Sequence, residues 1–376
     1  MDEHPLNSED EAVICEVLKT LLHDPHNRAL LKSDDFPKKL QKGIVEALRE
    51  SGDALLDTLL EGAPTMLAER RAHREAFEAD LLTFWGEGFD LYETFHVCCK
   101  EAGQDFFDPY MPAPEQPHDY TFDALMGLHG RACLVASEVL TLLRAGFPSG
   151  AHARWRTIHE LAVVKYFITE HGQEIARRYL AHDAIQRHKS ADLYNTYHEK
   201  LGYEPLEHSE FAVIENAYRD ALDEFGDGFG KDWGWAIPGL AEGVSPTFKA
   251  IEKATGLDHL RPYYRMASDA SHANAHGSLS DLGLHDPFGI LVGPSPVGFA
   301  DPAHGACVSL FQVTVCVLNY RTDMRNAITL NALSKLLHQV GETLLNAHRR
   351  AEDALKAGHW EPADPDAELD STAERS

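Results

Sequence analysis

Gly146-Phe147-Pro148-Ser149-Gly150 decides the fold, because it ends one helix and begins another within five residues. A glycine takes the left-handed backbone that closes a helix, and a proline in a first turn loses nothing by lacking its N–H. Upstream, the apolar spacing from Tyr120 to Arg144 predicts a helix. Downstream, a second helix is expected from Pro148 to about His171, where Gly172 stops it.

Further helical patterns cover 174–200, 209–225, 246–254 and 262–276. The stretch 277–305 is rich in Gly and Pro and reads as a loop, with a short hairpin at Ile290-Leu291-Val292. Two more helices are expected over 306–325 and 330–357. Strand-like alternation is nearly absent, so the class is all-α: a multi-helix bundle of mostly antiparallel neighbours over 120–357.

Before it, Pro109, Pro112, Pro114 and Pro117 mark 105–119 as an extended, Pro-rich linker. Residues 1–104 read as a helical N-terminal region, with Asn7-Ser8 and Ser51 as caps and Leu55, Leu59 and Leu60 among its apolar repeats. The last segment, 358–376, is acidic, contains Pro362 and Pro365, and is expected to be disordered.

The chain has 376 residues, 44% hydrophobic and 25% charged, enough apolar material for a real core. Its 34 Lys and Arg against 60 Asp and Glu give a net charge of −26. Such a charge repels nucleic acid and anionic membranes at long range, leaving RNA only a local site. Between Arg144 and Lys200 the balance reverses, nine basic residues against six acidic, which favours that region for an anion. None of the six cysteines makes a C-x-x-C pair, and the acidic N-terminus lacks a signal peptide's basic flank and apolar stretch. With no run of about 18 apolar residues, the expectation is a cytoplasmic protein with no membrane span and no cofactor.

The chemistry concentrates in Tyr263-Tyr-Arg-Met-Ala-Ser-Asp-Ala-Ser-His-Ala-Asn-Ala-His-Gly277. On one helix, at about 100° per residue, Arg265, Asp269, His272 and His276 fall on a single narrow stripe. A guanidinium can hold a phosphate in two places while an imidazole moves the proton of an attacking hydroxyl. RNA brings its own nucleophile, the 2′-OH, so no metal is required. Two other readings stay open: an Arg265–Asp269 ion pair on a solvated face, and a metal site using His272 and His276 with Asp269. In the 148–171 helix, Arg156, His159 and Glu160 share a face, either as an ion pair or as groups orienting a histidine across the bundle. Cys98-Cys99 reads as core packing, the Gly226–Gly230 run as a turn, and Trp233 and Trp235 as anchors of that loop.

The segment from Gly146 to about Ser278 resembles a bacterial family known only as domain of unknown function 5677. The resemblance rests on the Gly-Phe-Pro turn, on Arg156-x-x-His159-Glu160 and on Tyr264-x-x-x-Ser268-x-x-x-His272. Arg265 and His272, with six residues between them, also resemble the signature of the HEPN superfamily, helical RNA-cleaving domains of toxin–antitoxin and antiviral systems. That resemblance implies a HEPN-like core, phosphate binding by Arg265, proton transfer by His272, a homodimer with a composite cleft, and an antitoxin-like protein partner.

Overall fold

The computed structural model describes residues 36–109, 117–272, 275, 277, 281–284 and 291–358, with side chains from Arg49 onward. Within them the chain is helical and has no strand. The helices are α1 (Phe36–Phe107), α2 (Tyr120–Arg144), α3 (Pro148–His171), α4 (Gln173–Ala181), α5 (Asp183–Leu201), α6 (His208–Phe225), α7 (Phe248–Ala254), α8 (Arg261–Asp269), α9 (Ala300–Tyr320) and α10 (Met324–Lys356).

The decisive turn folds as its residues dictate. Asp119 caps α2 by accepting from the Phe122 N–H at 3.0 Å, Gly146 takes φ +86° after its end, and Pro148 occupies the first turn of α3. Gly172, at φ +72°, separates α3 from α4. Residues 174–200, expected as one helix, are two. The break falls at His182, whose Nε2 lies 3.1 Å from the Phe229 carbonyl and 2.9 Å from that of Lys231. The ring N–H donates across to a distant turn, a contact invisible to local periodicity. The last two helices begin six residues earlier than expected, α10 because Asp323 caps it through the Asn326 N–H at 2.7 Å.

The chain divides into two compact units, Met1–Arg74 and Glu75–Ser376. The division falls inside α1, not in the Pro-rich stretch, of which 110–116 lie outside the described residues. The side chains explain it. In the first unit Leu55, Leu56, Leu59, Leu60, Met66 and Leu67 are all exposed. From Leu81 on, Leu81, Trp85, Phe89, Tyr92 and Phe95 are fully buried in the core of the second unit, with α2, α3, α9 and α10 around them. Tyr92 donates its hydroxyl to the Ala136 carbonyl at 2.8 Å, and Trp85 donates its indole N–H to the Pro296 carbonyl at 2.9 Å. Gly88 lets α10 approach: a Cβ there would meet a Leu344 methyl at 2.8 Å.

Two helices, α2 and α9, are long and apolar enough to span a membrane by length and composition, and about half of each apolar window is buried inside the bundle. They pack against α3 and against each other. The five described cysteines are free thiols. Cys99 is buried, as expected of core packing, and so is Trp235, which anchors the 3₁₀ turns Asp227–Gly230 and Gly234–Gly239. The hairpin expected at 290–292 and the tail beyond Gly358 lie wholly or partly outside the described residues.

One group inside the bundle stands apart. Lys165 of α3 is fully buried, and its Nζ has no hydrogen-bond partner. Burial pushes its ammonium down to about 7, against the opposing pull of Cys316 and Cys133.

Candidate functional site

Helix α3 supplies the first layer of the site. Arg156 and Glu160 stand one turn apart, with Arg156 Nε 3.1 Å from Glu160 Oε1. From α8, Tyr264 donates its hydroxyl to the same oxygen at 2.6 Å, and the Arg156 guanidinium lies 4.8 Å over the Tyr264 ring. Burial, then the Glu160 carboxylate, pushes the Tyr264 phenol up to about 12. Tyr264 therefore stays protonated and acts as a donor.

His159 belongs to a second, deeper pair. Its Nε2 lies 2.9 Å from Oε1 of Glu252, both side chains wholly inside, and the other Glu252 oxygen pairs with Arg261. The Arg261 guanidinium sits 5.1 Å over Tyr264 and 5.6 Å over Phe248, and the His159 ring stacks on Trp155 at 5.6 Å. A fully desolvated carboxylate is tolerable only when its charge is answered, and here a cation and an imidazole answer it. Three helices, α3, α7 and α8, are tied at one point.

The stripe expected along 262–276 does not form. Helix α8 ends at Asp269, after which the Ser271 and His272 N–H groups donate to the Ser268 and Asp269 carbonyls in tighter turns. Gly277 lies so close to Asp269 that a Cβ on it would be 2.1 Å from the Asp269 carbonyl. Arg265 and Asp269 remain one turn apart, Nε to Oδ1 3.4 Å, with the Arg265 side chain 77% exposed and that of Asp269 15%. His272 lies beyond the helix end and is exposed. Ser268 donates its hydroxyl to the Tyr264 carbonyl at 2.8 Å, binding the helix to itself. His276 lies outside the described residues. Among the described residues no three His, Cys, Asp or Glu side chains gather as metal ligands.

Sequence reasoning missed Glu252, Arg261 and His152. Nothing local marks Glu252, whose partner His159 is 93 residues away. His152 did leave a signal, since it precedes Arg156 by one turn on the same helix. It is 2% exposed and stacks on Trp155 at 5.1 Å with planes 16° apart, and burial pulls its imidazole down to about 4 while Asp301 pulls the other way.

This arrangement lies almost wholly in one segment with known counterparts. Residues 122–289 match the model of a family of unknown function, DUF5677. The DUF5677 segment, rather less than half of the chain, runs from α2 past the end of α8. It contains the Arg156–Glu160–Tyr264 and His159–Glu252–Arg261 groups, and Arg265 and His272 besides. The exposed first part of α1 and the helices α9 and α10 lie outside it. No curated protein and no solved structure matches the chain.

Proposed function

We propose that the C-terminal end of α8 is a phosphodiester site and that the chain is a metal-independent, HEPN-like endoribonuclease. One observation carries the reading: the inward polar groups of α8 are met by partners, while Arg265 and, three residues past the helix end, His272 stand open to solvent. Asp269 steadies the Arg265 guanidinium from one side and leaves its other donors for a phosphate. His272 takes the 2′-OH proton as that oxygen attacks phosphorus, and the 5′-oxygen leaves and is protonated from solvent. The products are a 2′,3′-cyclic phosphate and a 5′-hydroxyl. The proposal extends to a toxin-like or phage-defence role in a bacterial cytoplasm, as a homodimer checked by an antitoxin-like protein; these parts stand on the resemblance alone.

The test is cleavage of an RNA by the purified chain in excess chelator, with the ends of the products identified. The expected result is cutting that persists without metal, leaves cyclic phosphate ends and spares a 2′-deoxy substrate. Uncut RNA, or cutting that needs added metal, overturns the proposal.

A second reading has an observation of its own. Arg156, Glu160 and Tyr264 bond to one another, and His159 to Glu252, as expected of a helical nucleotide- or protein-binding module whose polar groups hold it together. It predicts binding without turnover.

A further inference from the structure

Beside the α8 site runs a groove in two lobes that share His152. The first, about 160 Å³, is walled by Trp155, Tyr263, Asp301 and His304. The second, about 200 Å³, is walled by Ser149, Met266, Asp269 and Asp281. Helices α3, α8 and α9 supply most of the walls.

Three features fix the chemistry such a groove would accept. Its carboxylates, Asp301 in one lobe and Asp269 and Asp281 in the other, belong to a chain of net charge −26, so an anion is repelled from both ends. Part of that charge is already answered, since Asp269 pairs with Arg265; among the described residues Asp301 makes no ion pair with a Lys or Arg. The lobe that holds Asp301 is also lined by Trp155 and Tyr263, and a cation gains from lying over such rings. Third, His152 is 98% buried, yet neither of its ring nitrogens has a hydrogen-bond partner among the described residues. Neither nitrogen is sealed from solvent, so the ring can meet a hydrogen-bonding group that enters the lobes it lines. The indole N–H of Trp155, whose ring stacks on His152, is already committed, donating to the Ser309 hydroxyl at 3.0 Å. Being uncharged near neutrality, the His152 ring offers a lone pair to an incoming N–H donor.

We propose that the first lobe binds an alkylguanidinium, its charge against Asp301, its plane along Tyr263 and one N–H donated to His152. A cavity near 150 Å³ holds one benzene-sized group, which suits a guanidinium with its first methylenes and excludes a whole nucleotide. The second lobe receives the rest of the ligand, and a second cationic group there would meet Asp281. The guanidinium can come from a free amine or from an arginine of a peptide. This inference does not rest on RNA cleavage, because it uses neither Arg265 nor His272 as a ligand.

Isothermal titration of the full chain with agmatine, and with a blocked arginine peptide, tests it, with inorganic phosphate and guanosine monophosphate as opposing probes. Saturable binding of either guanidinium ligand is expected, weakened at least tenfold in Asp301→Asn, an exposed position whose loss leaves the fold intact, and unchanged in His272→Ala. Binding of the peptide alone assigns the source to a protein, and binding of agmatine alone assigns it to a small amine. No saturable heat with either ligand at millimolar concentration overturns the proposal. So does equal binding by Asp301→Asn, or displacement of the bound guanidinium ligand by phosphate or the nucleotide.

Discussion

The two sides of α8 are built on opposite principles. Inward, Arg261 and Tyr264 meet Glu252 and Glu160, and every charge has an answer inside the bundle. Outward, Arg265 pairs with the carboxylate one turn away and is otherwise largely exposed, and His272 just past the helix end is exposed. Polar residues on one short helix thus divide into those that hold it in place and those that remain available. The resemblance motif spans both sets, so a shared motif does not by itself say which residues act.

The largest effect is expected from breaking the inner side. Glu252→Ala leaves the half-buried Arg261 unpaired and the buried His159 imidazole without its partner, and should cost about 3–5 kcal/mol, read by urea unfolding. A loss below 1 kcal/mol would mean that the pair is no anchor. Next comes Tyr264→Phe, which keeps the ring over Arg156 and removes one hydrogen bond to a carboxylate. It should cost about 1.5–3 kcal/mol, with little change in the unfolding slope.

Lys165 sharpens the comparison, since it is equally buried but unanswered. Replacing it with Met removes the burial penalty and should stabilise the chain by about 1–3 kcal/mol. The pH dependence gives a signature with a definite sign. The unfolded lysine is charged up to about pH 10.5, while the folded one is neutral above about 7. Between these values the unfolded state holds a proton that the folded state lacks, so wild-type stability rises from pH 7 towards 10. Below 7 the penalty is complete and constant. Melting curves of Lys165→Met should lose that rise, and an unchanged slope would place the charge elsewhere.

How much of this could be read from the chain depended on the range of the interaction responsible. The α2–α3 turn was legible because Gly146, Pro148 and Gly172 act on their own backbone. The Arg156–Glu160 pair was legible because it lies one turn apart on one helix. The end of α8 was not: its alanine-rich continuation carries good helical spacing, and what stops it is the close approach of Gly277 to the Asp269 carbonyl. Helix α4 parts from α5 because His182 reaches carbonyls 47 and 49 residues away. The position of the unit boundary was hidden for a related reason. Both parts of α1 carry apolar residues at helical spacing, and only the presence of α2 and α10 decides which of them are buried.

The smallest stability effects are expected on the outer side, where Arg265→Ala and His272→Ala should each stay within about 0.5 kcal/mol of wild type. That indifference gives the most direct test of the central claim, that the inner groups hold α8 and the outer ones act. Melting and RNA cleavage are measured together on wild type, Arg265→Ala and His272→Ala. The account predicts melting curves that coincide and cleavage reduced at least a hundredfold in both variants. Cleavage equal to wild type in folded variants, or none by wild type itself, would contradict it and leave α8 as a structural strut.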